Sequence, residues 1–312
     1  MSKGYEALRE RAAWIDLTGR GKVRVTGEDR RRLLHAMTTN HVQELGPGQG
    51  LYAFFLNDKG RILADVNLFA LEDALLLDLE PEVTRKIYDH LDRFIIADDA
   101  AVEDVTETLF TLSVEGPAAE AAAASIGAPV PAAPWGVSAW GAGWVARAGV
   151  TGQPGFFVFA PAEERAAILR ALEAAGIPEA DAEAANIVRL ENARPRYGVE
   201  MTEKSLPQET RQMHAIHFSK GCYLGQEIVE RIRSRALLHR AMAHVAIEGD
   251  AVPAGGTELL AGEQKAGELF SAAYSPALGK VVGLANLRID FATLPPLTTA
   301  GGAAVTAREI ST

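Results

Sequence analysis

The chain has 312 residues, 48% hydrophobic and 23% charged, with a net charge of −10 and one cysteine; that suits about two globular domains with buried cores. The acidic balance argues against a general binder of nucleic acid or anionic membranes, and a single thiol excludes an internal disulfide or a self-contained four-cysteine cluster and suits a reducing cytoplasm. The first ten residues lack the apolar centre of a signal peptide, and no apolar run nears the ~18 residues of a membrane span.

Taken in order, Lys22–Thr26 alternates as a short strand, and Thr26-Gly27-Glu28-Asp29 reads as a helix start with an acidic residue three places after the threonine. Leu33, Leu34 and Met37 supply that helix's buried face, leaving Arg30, Arg31 and Arg32 as a solvated side or a phosphate site. After a Gly46-Pro47-Gly48 turn, β-rich runs over 51–56 and 61–69 flank Asn57-Asp58-Lys59-Gly60, a hairpin loop whose glycine can take positive φ. Asp65 stands among apolar neighbours on the second run, so its carboxylate must face solvent, be paired, or serve a ligand. A third strand covers 74–79, and Pro81 opens a helix reaching about Arg93. Beyond it come a strand at 108–115, an alanine-rich helix at 117–126, and a surface connection at 128–135. Strands at 143–149 and 155–160 follow, then a helix over 161–175 closed by Gly176. This order predicts an α+β fold, with helices layered on one face of antiparallel sheet.

Residues 181–200 hold a helix through Ile187, Val188 and Leu190 that Pro195 ends, which puts Glu191 near a helix end beside the apolar stripe. Leu206–Glu209 is a loop, and His214–Phe218 leads into Lys220-Gly221-Cys222-Tyr223-Leu224-Gly225-Gln226-Glu227. Leu224, Ile228 and Ile232 recur at helical spacing, so the thiol is expected at or just before a helix N-terminus. There the free N–H groups, the helix dipole and Lys220 would favour an anion and keep Cys222 reactive; the alternative is a small buried hydrophobe. Residues 211–240 carry six Arg or Lys against two Glu, a basic rim suited to an anionic ligand. From about Ala241, short β-prone pieces between Gly- and Pro-containing turns predict a small barrel or sandwich, with 298–304 a loop before the final strand.

The Lys220–Glu227 segment resembles the signature of YgfZ-type folate-binding proteins, relatives of the glycine-cleavage T-protein, an aminomethyltransferase. The likeness continues through Val25–Asn40, the Asn57–Asp65 hairpin, Arg189–Gly198, Leu206–Glu209 and the tail, roughly residues 12–308. It implies the T-protein folate-binding fold: ferredoxin-like α+β layers plus a C-terminal small β-barrel, three domains around a central channel that holds tetrahydrofolate or a derivative. Residues 1–240 would form the folate-binding region, as two interleaved α+β subdomains, and 241–312 the barrel. Glu191 matches the T-protein glutamate that binds the pterin, and a carboxylate can accept two N–H bonds from that ring's amide-like edge. Asp65 would orient folate with it, Asn57 and Tyr197 being further contacts. Tyr223, Gln226 and Glu227 would shape the surroundings, and Arg235 belongs to the basic rim facing folate's anionic tail. Cys222 and Lys220 would carry redox or transient cluster chemistry; no metal site is assigned.

The role implied by the resemblance is support for assembly or repair of iron–sulfur enzymes and, through them, tRNA modification. Its partners would be folate and proteins of that machinery, with no direct nucleic acid or membrane. The alternative is a folate-dependent aminomethyl- or methyltransferase. The T-protein carries two adjacent aspartates where this chain reads Ala64-Asp65, and it lacks the cysteine motif; both departures favour the YgfZ side. A thiol enzyme unrelated to folate would need a base such as His214 or His217 near Cys222.

Overall fold

The structure, a computed structural model, describes residues 2–235 and 238–310. Helix α1 (Lys3–Glu10) and strand β1 (Ala13–Asp16) precede a first layer. That layer comprises β2 (Gly21–Thr26), α2 (Arg30–Met37), β3 (Gly50–Leu56), β4 (Ile62–Ala70), β5 (Leu75–Leu79), α3 (Thr84–Phe94) and β6 (Ala101–Asp104). Its strands pair antiparallel in the order β3-β4-β5-β2-β6. A second layer holds β7 (Leu109–Glu115), α4 (Ala119–Ser125), β8 (Val137–Trp140), β9 (Gly143–Ala146), β10 (Gly155–Pro161) and α5 (Arg165–Ala174). Here the order is β1-β7-β10-β9-β8, so β1 crosses to the second sheet and sets Ala13 opposite Glu115.

Helices α6 (Ala182–Glu191) and α7 (Gln226–Arg235) then lead to β11 (Arg240–Ile247), β12 (Glu258–Ala261), β13 (Gln264–Ser275), β14 (Lys280–Arg288), β15 (Leu297–Thr299) and β16 (Ala304–Glu309). These six close into a barrel, because β11 pairs with both β14 and β16. Closure leaves no free sheet edge.

Period-two burial explains the stacking. On β10, Phe156, Val158 and Ala160 join Ala122, Ile168 and Leu172 under the helices of their own layer. Phe157 and Phe159 point to the opposite face and meet Phe69 of β4, whose ring lies 5.6 Å from that of Phe159. Strands apolar on both faces are buried on both faces, and the two sheets therefore pack against each other through an aromatic layer. Leu33, Leu34 and Met37 bury one side of α2, as their spacing predicts.

The structure also departs from expectation. Thr26 ends β2 rather than capping α2; Asp29 precedes that helix, and its carboxylate accepts from the Asp99 N–H (2.9 Å) and Arg32 (3.1 Å). Strands β1, β6 and β8, of four residues each, are additional to those expected from the sequence. Strand β15 occupies part of the predicted 298–304 loop. Helix α7 begins at Gln226, four residues beyond the thiol.

Candidate functional site

A cavity of about 540 Å³ opens where the β1–β2 connection, β3, β4 and α6 converge. At its wall stands Asp65 of β4. The Tyr52 hydroxyl donates to Asp65 Oδ2 at 2.8 Å, while Oδ1 is buried and has no partner among the described residues. Burial, with Glu80 close by, pushes the Asp65 carboxyl up to about 6. Such a group holds a free acceptor in a dry place and changes protonation within a unit or so of neutrality.

The remaining charges form a braced frame. Arg20 grips Asp78 through two bonds of 2.8 Å and also reaches Glu80. Asn67 donates to Asp78 (2.9 Å) and accepts from the Trp135 indole N–H (2.9 Å). Arg196 bonds Glu80 (2.7 Å) and Glu82 (2.9 Å), and burial's push on Glu80 is outweighed by Arg20 and Arg196, which hold its carboxyl below the usual range. On α6, Arg189 pairs with buried Glu200 at 3.1 Å. Asp78 and Glu200, fully buried as side chains, each have an arginine against them, the condition under which buried charge is tolerated.

Of the residues expected at the site, Asp65 alone lines this cavity. Glu191 leaves α6 on another side, where its carboxylate accepts from Tyr5 (2.5 Å), Arg9 (2.5 Å) and Ser275 (2.6 Å), clamping α1 and α6 to the barrel. A turn of 100° per residue separates it from Asn186 and Arg189, which do face the cavity. Asn57 braces the hairpin loop, its Oδ1 accepting from the N–H groups of Lys59 (2.9 Å) and Arg61 (3.0 Å). Tyr197 is buried, its hydroxyl 3.4 Å from the Ile62 carbonyl.

The cysteine motif packs instead on α2 and the tip of the β3–β4 hairpin. Lys220 is buried; its ammonium donates to the carbonyls of Thr38 (2.6 Å) and His35 and lies 4.8 Å from the Tyr223 ring centre. Burial pushes Lys220 down to about 7. Cys222 is exposed in the loop before α7, outside the helix's first turn, where dipole effects fade. Beside it, a β-carbon on Gly221 would sit 3.5 Å from His35 Nε2, and His35, His41 and His217 form a chain of rings 4.8 and 5.1 Å apart. His214 lies elsewhere, stacked on Trp135 at 5.5 Å. Gly225, at φ +83°, comes so near the hairpin that a β-carbon would meet the Asn57 carbonyl at 2.6 Å. That glycine locks α7 to the hairpin. Tyr223 is buried, Gln226 opens α7, Glu227 pairs with Arg231 across one turn (2.5 Å), and Arg235 ends the helix.

No arginine of the 211–240 rim reaches the cavity; Arg20, Arg189, Arg194 and Arg196 do. Sequence reading missed these, together with Tyr52, Asn67 and Glu80. One signal was available: Asp65 and Asn67 stand two apart on a strand, so they share a face, and Asp78 is Asn67's cross-strand partner.

A closed barrel behind two stacked α+β layers, with a polar cavity inside the layers, defines a T-protein fold. Residues 1–220 match the family described as GCVT N-terminal domain, and residues 240–311 match the CAF17, C-terminal beta-barrel domain. The chain belongs to the GCVT family. An aminomethyltransferase of Rubrobacter xylanophilus is 30% identical over 318 residues, covering 98% of this chain and 82% of that protein. One from Streptomyces coelicolor is 29% identical over 90% of this chain and 79% of its own length. The crystal structure of glycine cleavage system aminomethyltransferase T from Bartonella henselae superposes with a TM-score of 0.89 at 19% identity, over 98% of this chain and 87% of that one, which establishes the fold.

Proposed function

We propose that the cavity takes tetrahydrofolate or a derivative, and that the chain is a cytoplasmic folate-binding protein supporting assembly or repair of iron–sulfur enzymes and, through them, tRNA modification. The observation that carries the folate reading is Asp65, a half-buried carboxylate lining a cavity within the size range of small-molecule sites. A reduced pterin presents N–H donors on a flat edge, which a carboxylate accepts. When bound, tetrahydrofolate would supply ring nitrogens able to carry a one-carbon unit. Asp65 would orient it, Tyr52 would hold the Asp65 carboxylate in place, and the Arg20–Asp78–Glu80–Arg196 frame would keep the wall rigid. Residues 1–240 would hold folate and 241–312 would supply the barrel.

Support for the iron–sulfur side comes from the CAF17-type barrel, the exposed thiol of Cys222, and Ala64, fully buried where the T-protein has a second aspartate. Titration with tetrahydrofolate tests the first half: saturable binding is expected, weakened about tenfold or more in Asp65→Asn. No binding by the parent protein refutes it. For the second half, Cys222→Ser should keep folate affinity while failing to support cluster enzymes.

A transferase is the second reading, favoured by the curated relatives' name and by Asp65 itself, a poised carboxyl in the cavity. It expects turnover of tetrahydrofolate to methylene-tetrahydrofolate with an aminomethyl donor, lost in Asp65→Asn.

A further inference from the structure

The last carbonyls of a helix have no partner within it and favour a cation. At the end of α2 that need is met by the segment 217–224, which carries Cys222. The His217 N–H donates to the Thr39 carbonyl just past the helix (2.9 Å), and the Leu224 N–H to that of Ala36 (3.1 Å). Between these two pins the Lys220 ammonium donates to the carbonyls of His35 and Thr38. Lys220 is 6% exposed. Among the described residues no carboxylate offsets its burial, which pushes it down to about 7 from an ordinary 10.5.

The neighbours of Lys220 are basic too. His35, in the last turn of α2, sets its Nε2 against Gly221 and its ring against His41 of the following loop, which in turn meets His217. Burial pushes His35 down to about 4, helped by Lys220, His41 and His217 and opposed by Glu44. On its other side Lys220 faces the Tyr223 ring, whose hydroxyl is pushed up by burial and by Glu230 of α7; Arg233 of α7 lies over Phe218, 4.6 Å from its centre. Four basic groups from α2, the loop after it and the thiol segment therefore meet at one spot of a chain whose net charge is −10. The segment between is held at its two ends by independent contacts. The Thr39 hydroxyl donates to the Ala215 carbonyl (2.6 Å), and Gly225 packs on the β3–β4 hairpin.

We propose that the Cys222 segment is a proton-operated latch, closed on the end of α2 while the Lys220–histidine cluster is uncharged and released as the cluster takes up protons in mild acid. Both resolved shifts are downward, so the closed segment favours the neutral forms. Opening returns Lys220 and His35 to water and to their ordinary 10.5 and 6.5, so added protons favour it. Cys222 is already exposed in the closed form; release changes the reach of the thiol, with Ala215 and Gly225 as the fixed ends of its travel. The inference does not depend on what fills the cavity.

The test follows amide hydrogen exchange of the full chain by mass spectrometry at pH 8 and pH 5.5, corrected for the intrinsic exchange rate. Lys220, at about 7 closed and 10.5 open, raises the open fraction about tenfold over that span, and His35, at about 4 and 6.5, about tenfold again. Protection of 217–224 is therefore expected to fall about a hundredfold, and that of β14 to stay within about twofold. Lys220→Met keeps the length of the side chain without its charge and should retain a fall of only about tenfold. His35→Gln keeps an acceptor for the Gln43 N–H and should likewise retain about tenfold. Protection that does not change with pH, a fall that β14 shares equally, or the full hundredfold fall in either variant overturns the proposal. Should a variant not fold, an NMR titration of the Lys220 ε-carbon in the parent protein decides: a midpoint near 7 supports the latch, and one near 10.5 overturns it.

Discussion

Asp65→Asn should make the protein more stable at neutral pH while weakening its ligand. The Asp65 carboxyl stands at about 6 in the folded chain against an ordinary 3.8, so folding disfavours its charged form. Two units at ~1.4 kcal/mol each amount to roughly 3 kcal/mol. The residue is partly exposed through the cavity even though Oδ1 is buried, and solvent screening brings the figure nearer ~1–2 kcal/mol. Because the folded value is the higher one, the cost is full above pH 6 and disappears as pH falls toward 3.8. Asparagine removes the charge while its carbonyl oxygen still accepts from Tyr52. Guanidinium unfolding of both proteins at pH 8 and pH 4.5 reads the difference. The variant should be stabilised by ~1–2 kcal/mol at pH 8, with most of the gain gone at pH 4.5. A variant less stable than its parent at pH 8, or a gain independent of pH, would refute the argument that Asp65 is held charged at a cost to the fold.

Glu191→Ala removes the acceptor of the buried Tyr5 and Ser275 hydroxyls, and should lower unfolding stability by about 2–4 kcal/mol with tetrahydrofolate affinity within about twofold. A tenfold loss of affinity at unchanged stability would return Glu191 to the ligand. Arg20→Ala strands Asp78, which is fully buried, and leaves Glu80 with Arg196 alone, and denaturation should show a loss of ~3–5 kcal/mol; a loss below 1 kcal/mol would mean the frame does not need its arginine. Cys222 is exposed, so a thiol reagent should label the native protein to completion, and Cys222→Ser should shift unfolding by no more than ~0.5 kcal/mol. Labelling that needs denaturant counts against that placement.

Much of the fold was legible because burial on a strand has a period of two. The hairpin runs, β10 and the β-rich tail carry their pattern in consecutive residues. The residues of the tail left barrel and sandwich both open, since nothing local tells β11 that its second neighbour will be β16, and the barrel that the resemblance implied is the one observed. The site was half legible for the same reason. Asp65 is conspicuous as a lone carboxylate in an apolar run, and the structure puts it on the cavity wall. Glu191 and Arg194 are three residues apart, yet the first turns toward α1 and the second toward the cavity, a choice made by the left-handed Ala193 between them. Composition in 211–240 suggested a basic rim, whereas the arginines that line the cavity are Arg189, Arg194 and Arg196, from one stretch of eight residues, and Arg20, which joins them only through tertiary packing.

Strand β1 is synthesised ahead of everything in the first sheet but finds its hydrogen-bonding partner only at β7, about a hundred residues later. On the ribosome the opening segment must therefore wait, tethered, while an entire layer condenses between it and its mate. The earlier layer is stitched inside the later one, so no single cut frees either. A fragment begun after Asp16 would bare the edge of β7 and invite a neighbouring chain to fill it.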